Sequence, residues 1–235
     1  MHRFYLNEKL DTNILVVKDK AILHQLKNVL RLRKGDLISF FNNEGAESGF
    51  DFSAELKNIE RASANFLIKE KKENTREPNK KIILYQSLVK KERFEQILQH
   101  GAEIGISEFF PVVSRRAGKK SLQQDRCEKI LREASEQSGR AIVPKLGQVL
   151  DFKKAVQKAQ DSGFKTYFAC TEEKDRRIYG AGDRYVNLFI GPEGGWDASE
   201  IFAMQRAGFI PISLGKLTFR AETAAIVASY TLLWG

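Results

Sequence analysis

Two apolar runs late in the chain, Val186 to Ile190 and Ile210 to Leu214, each stop at a glycine, and this pairing restricts the fold more than any other feature. The first opens into Gly191-Pro192-Glu193-Gly194-Gly195 and then a helix signal; the second opens into Gly215 and the polar run Thr218, Arg220, Glu222, Thr223 ahead of a closing helix. Short apolar runs bounded by turn residues read as buried strands. Two such strands deliver two glycine loops from one edge of a sheet, the edge at which open α/β sheets hold ligands. Glycine there lets main-chain N–H and C=O groups approach a ligand with no Cβ in the way. Part of the motif is ordinary capping, since Asp197 with Glu200 has the form of an N-cap and its N3 partner. Capping does not call for Arg220 and Glu222 beside the second turn. Neither the phosphate-loop nor the dinucleotide glycine pattern occurs.

IGPEGGW followed by LGKLTFRAETA resembles the C-terminal signature of the SPOUT-class 16S rRNA (uracil-N3) methyltransferases, the RsmE family. MHRFYL at the start, HQLKNVLR at 24–31 and EQSGR at 136–140 extend the resemblance over essentially the whole chain. Several separated motifs in the right order are far more specific than one glycine loop.

Bulk properties narrow the class independently. The 235 residues, 42% hydrophobic and 29% charged, fit a soluble globular protein of one large or two modest domains. No apolar run approaches the roughly 20 residues of a membrane span, and the N-terminus lacks the apolar core of a secretory signal. Cys127 and Cys170 are too few for a disulfide framework or a zinc site, so no metal is expected and the expected location is cytoplasmic. A net charge of +9 favours a polyanionic partner without proving one. The surplus is concentrated: Lys18 to Lys34 holds six Lys/Arg against one acid, and Val112 to Lys145 holds nine against four. Two basic patches, one in each half, are what a clamp on RNA requires.

Residues 1–74 read as a small β-rich domain with strands at Arg3–Leu6, Leu37–Phe41, Phe50–Ile59 and Ala64–Lys69. Ala21 to Leu30 is predicted as a helix with Ile22, Leu23, Leu26, Val29 and Leu30 on one face. Residues 70–80, polar and containing Pro78, read as a linker with the boundary near residue 75. Residues 75–235 then alternate strands and helices, the mark of a parallel α/β domain. The predicted strands are Ile82–Gln86, Glu108–Val113 and 165–170 with the two opening runs; the helices are Lys91–Ile104, Leu122–Ser138 and 151–161. The closing stretch from Ala224 to Trp234 is apolar nearly all round, which places it in a core or at a subunit contact.

The resemblance implies more than periodicity can. It implies a PUA-like RNA-binding barrel before a SPOUT-type parallel sheet with a C-terminal trefoil knot, a homodimer, and S-adenosylmethionine as methyl donor. The implied reaction is methylation of N3 of a uridine in 16S rRNA of the small ribosomal subunit. The cofactor loops fall on Ala169, Cys170, Thr171 and Glu172; on Ile190, Gly191, Pro192, Glu193, Gly194 and Gly195; and on Leu214, Gly215 and Leu217, with Thr223. Glu193 has two readings, a charge favoured beside a first helical turn or a contact to the cofactor ammonium. N3 of uracil is a protonated imide, so the nucleophile needs its proton removed and the charge on O2 and O4 stabilised. A fixed guanidinium supplies that stabilisation, and Arg220 is the candidate; its competing reading is a plain ion pair with Glu222. Glu222 either takes the N3 proton or orients Arg220. Candidate RNA contacts are Arg3, His24, Lys27, Asn28, Arg31 and Arg33 in the first domain, and Ser114, Arg115, Arg116, Lys119, Lys120 and Arg140 in the second. For His24, Lys27, Asn28, Arg31 and Arg33 the competing reading is a solvated helix face, with His24 also readable as a hydrogen-bonded structural histidine; Arg140 is expected to approach the active site.

Three rival functions remain at this stage. One keeps the enzyme class and moves the target to a ribose 2′-oxygen or another base atom, because fold does not settle product. A second is a non-catalytic rRNA-binding assembly factor. A third, a nucleotide hydrolase, lacks a phosphate-binding Lys and a metal-binding carboxylate pair.

Overall fold

The computed structural model describes residues 2–10, 13–43, 45–118, 121–173 and 182–235. They form two compact units: Met1–Glu77 with Ser135–Val143, and Pro78–Ala134 with Pro144–Gly235.

The first unit is a five-stranded sheet. In chain order its strands are β1 (Arg3–Tyr5), β2 (Ile14–Val17), β3 (Leu37–Phe41), β4 (Phe50–Ile59) and β5 (Ala64–Glu73), and across the sheet they run β1-β3-β4-β5-β2. β1 lies parallel to β3, and the other pairings are antiparallel. Alternate residues of β4 and β5 face one core, where Phe40 and Phe66 meet edge to face at 5.0 Å. β5 runs on through Lys71-Lys72-Glu73, a stretch read from sequence as linker. It does so because Phe50–Ser53 of β4 offers free ladder groups, and Lys71 lies 4.3 Å from the Phe50 ring.

The predicted first helix is shorter than expected. Helix α1 (Lys20–His24) is capped by the Asp19 carboxylate and passes into a π turn, Gln25–Val29, closed by Leu30 N–H donating to Gln25 O at 2.8 Å. A wider turn moves the inward face on by one residue. Leu26 and Leu30 therefore keep contact with the core, while Val29, expected beside them, is 64% exposed.

The second unit is an all-parallel sheet. Its strands are β6 (Lys81–Ser87), β7 (Glu108–Val113), β8 (Lys145–Leu146), β9 (Leu150–Asp151), β10 (Lys165–Ala169), β11 (Tyr185–Ile190) and β12 (Ile210–Ile212), ordered β12-β10-β11-β6-β7-β8 with β9 also on β7. The helices between them are α2 (Lys91–Ile104), α3 (Gln124–Ser138), α4 (Phe152–Asp161), α5 (Ala198–Arg206) and α6 (Ala221–Trp234). The last turn of α3 and Gly139–Val143 after it belong to the first unit. Both faces of the central strands are buried, as parallel sheets require. Tyr85 of β6 and Phe189 of β11 stack at 4.4 Å in the middle of the sheet. β12 is an edge strand beside β10, yet α6 packs against α2, β6 and β11, so residues 213–220 carry the chain back across the strand ends. Among the described residues, no helix is long and apolar enough to cross a membrane and no group of three or more His, Cys, Asp or Glu could hold a metal ion.

Candidate active site

The C-terminal ends of β10, β11 and β12 release three loops that line one cavity of about 440 Å3. Its walls include Ala169, Cys170, Thr171 and Glu172 from the first loop, Ile190 to Gly195 from the second, and Leu214, Gly215, Leu217 and Arg220 from the third. Thirteen of the fourteen cofactor candidates thus come together. The exception is Thr223, which is exposed on α6 and shares its outward stripe with Val227, Tyr230 and Trp234. Those positions are spaced four, seven and eleven residues on, one helix face, whereas Ala221 and Ala224 turn to the cavity.

Trp196 holds the first two loops together. Its indole N–H donates to Ala169 O at 3.1 Å, and its ring lies against Gly191, where a Cβ would come within 3.2 Å. A side chain there would press on the ring, which would have to give by a few tenths of an ångström. Gly215 turns the third loop with φ +123°, a conformation other residues reach only under strain. Behind the second loop Asp197 caps α5 in a full capping box with Glu200. The Ser199 hydroxyl, with its N–H, holds the Asp197 carboxyl below its ordinary value.

The ionic contacts differ from expectation. Arg220 is exposed at the cavity mouth, and among the described residues neither a hydrogen bond nor an ion pair joins it to Glu222. Glu222 faces Arg93 instead, with Oε1 3.9 Å from the Arg93 Nε, and its Oε2 is buried without a hydrogen-bond partner. Arg93 Nη1 also donates to Glu193 Oε1 at 3.0 Å. The Glu193 side chain is thus engaged by a cation from α2. Arg93 lines the cavity and was not singled out from sequence.

The RNA candidates separate into two groups. His24, Asn28, Arg31 and Arg33 are exposed around the π turn, and Lys27 rests its ammonium on the Glu60 and Arg61 carbonyls. Arg115 and Arg116 are exposed, with Arg116 donating to Gly194 O at 2.9 Å on the cavity rim. Three others are not open to solvent. Ser114 is buried and shares a 2.5 Å hydrogen bond with Ser87. Arg140 is 5% exposed and grips Glu77 through Nε and Nη2 at 3.2 and 2.7 Å. Arg3 pairs with Asp51 and donates to the Ser135 and Arg140 carbonyls. Charge in the sequence marked Arg3 and Arg140; carboxylates of their own unit, Asp51 and Glu77, absorb them. Lys119 and Lys120 lie outside the described residues.

The cavity fits S-adenosylmethionine on its own features. Its volume lies within the roughly 300–1,000 Å3 of small-molecule sites. Leu214 and Leu217 offer apolar surface for a flat base, and the glycine-rich loop exposes peptide groups. Residues 75–233 match the model of the RNA methyltransferase domain family. Ribosomal RNA small subunit methyltransferase E of Mesomycoplasma hyopneumoniae is 30% identical over 96% of each chain. The chain belongs to the RsmE family. A solved RsmE structure, the Neisseria gonorrhoeae enzyme bound to S-adenosylmethionine, is 30% identical, with a TM-score of 0.87 over 100% of this chain and 98% of that one. A Legionella pneumophila protein in complex with the same cofactor is 27% identical, with a TM-score of 0.80 over 96% and 94% of the two chains. The RNA methyltransferase domain match spans every residue that lines the cavity, Arg93 included.

Proposed function

We propose that this chain methylates N3 of a uridine in 16S rRNA of the small ribosomal subunit, with S-adenosylmethionine as donor. The observation that carries the reading is the convergence of three sheet-end loops on one cavity, lined also by an exposed arginine whose side chain has no ion pair among the described residues, in a member of the RsmE family. When bound, the cofactor supplies a methyl carbon activated by its sulfonium. The chain's own residues do the rest. Main-chain groups of Ile190–Gly195 and Leu214–Leu217 orient the donor, and methyl transfer is then largely a matter of alignment. Arg220, at the mouth, stabilises negative charge on the uracil oxygens as N3 loses its proton. Glu222 sits one turn-step behind, held by Arg93, where it supports the first turn of α6.

The remaining architecture follows the same reading. Residues 213–220 cross back over the strand ends, which supports a trefoil knot as the form of the cavity. Register shifts in the β4–β5 ladder bend the first sheet, which supports a PUA-like barrel that presents His24, Asn28, Arg31 and Arg33 to RNA. The apolar stripe of α6 supports a homodimer. The proposed location is the cytoplasm, with ribosomal RNA.

Radiolabelled methyl transfer to unmodified small subunits and to naked 16S rRNA, followed by nucleoside analysis, tests the proposal. The expected product is 3-methyluridine. A ribose-methylated or other base product moves the target, and cofactor binding without transfer to either substrate leaves a non-catalytic factor.

A further inference from the structure

Arg93 reaches the cavity from a different part of the chain than the three loops, and it meets one of them and the helix that follows another. It stands in the first turn of α2, just past the end of β6, with its guanidinium on the cavity wall. One nitrogen donates to Glu193 of the second loop at 3.0 Å; the Nε edge faces Glu222 of α6 at 3.9 Å. Neither carboxylate has another ionic partner among the described residues. Without Arg93, Glu193 on the cavity wall and Glu222 on the neighbouring first turn of α6 would both lack an ionic partner among the described residues, and one Glu222 oxygen is already buried with no hydrogen-bond partner there. A guanidinium serves both because its rigid fork presents two edges; an ammonium is a single point charge.

We infer that Arg93 is a positioning residue that keeps the glycine loop of Glu193 and the start of α6 in mutual register. The inference rests on the cavity being the S-adenosylmethionine site. Through Glu193 it acts on the loop that orients the donor. Through Glu222 it acts on the helix whose N-cap is Arg220, and so on the guanidinium offered to the uracil.

The test uses the full chain and its Arg93→Met, Arg93→Lys, Glu193→Gln and Arg93→Met/Glu193→Gln variants. Cofactor dissociation is measured by calorimetry, kcat and KM on unmodified small subunits, and Tm by circular dichroism. Arg93→Met should raise the dissociation constant about fivefold, the upper effect of a partly exposed ion pair. Its kcat should fall roughly tenfold, as expected when reacting groups are slightly misplaced. Arg93→Lys should recover cofactor affinity but only part of kcat, because one edge of the fork is gone. The double variant should bind no worse than Arg93→Met, since removing the charge of Glu193 relieves what Arg93→Met exposes. Additive losses overturn the inference, as does a lowered Tm with Kd and kcat unchanged. If Arg93→Met does not fold, Arg93→Lys and Glu193→Gln decide by the same Kd and kcat comparison. A wild-type chain that binds no cofactor overturns both this inference and the proposed function. A wild-type chain that binds and methylates, beside an Arg93→Met variant that matches it, overturns this inference alone.

Discussion

At the scale of single residues, the proposed reaction assigns most of the cavity to holding the cofactor and Arg220 to the nucleophile. Arg220 is exposed at the cavity mouth, so Arg220→Ala should leave calorimetric cofactor affinity intact. Its kcat should fall by about 10²–10³, the usual effect of removing one preorganised charge-stabilising donor. Equal turnover in the methylation assay would take Arg220 out of the chemistry. Gly215→Val is a complementary change: at φ +123° a β-branched residue costs about 1–3 kcal/mol of local strain. The third loop should distort, and calorimetry should show cofactor binding lost while the remainder of the chain stays folded. Arg220 and the glycines were legible because they sit beside one another in the sequence at two strand ends. Arg93 was not, because Glu193 lies 100 positions away and the pairing exists only once α2 has packed beside the second loop. Arg140 shows the same limit in reverse. Its charge is visible in the sequence, whereas Glu77, which buries it, is identifiable only after folding.

At the scale of elements, period and caps carried most of the fold. The helices α2 to α5 and the strands β4, β6, β7 and β11 were readable because apolar spacing and terminal glycine or aspartate agree. β5 was readable only to Lys69, since its far half is charged and strand character there comes from its neighbour β4. The α5 cap has a pH signature. Because the Ser199 hydroxyl lowers the Asp197 carboxyl in the folded state, its contribution is full above the ordinary unfolded value of ~3.9. That contribution is lost as pH falls through the lower folded value. Thermal melts should therefore place Asp197→Asn below wild type at pH 7, with the gap narrowing as pH falls below the unfolded value of ~3.9. A gap that widens on acidification would contradict this. On α6, the outward Val227, Tyr230 and Trp234 are large hydrophobic side chains exposed to solvent. Tyr230→Glu should shift the proposed homodimer toward monomer by sedimentation at micromolar concentration, and an unchanged species would assign that stripe another role.

At the scale of the whole molecule, charge bears on the partner and continuity on assembly. The surplus of +9 includes His24–Arg33 and Arg115–Arg116 surfaces that remain exposed. RNA binding in a filter assay should weaken steeply and linearly in log–log form as salt rises. A flat response would remove these basic groups from recognition. The division of the chain into units has a separate consequence, in time rather than space. The N-terminal unit is not contiguous: Ser135–Val143 completes it, with Arg140 and the Ala141 N–H on Glu77 and the Val143 N–H on Asn43. During translation at about 5–20 residues per second, Glu77 emerges seconds before the segment it is built to hold. The part of the nascent chain made first is thus among the last to be finished.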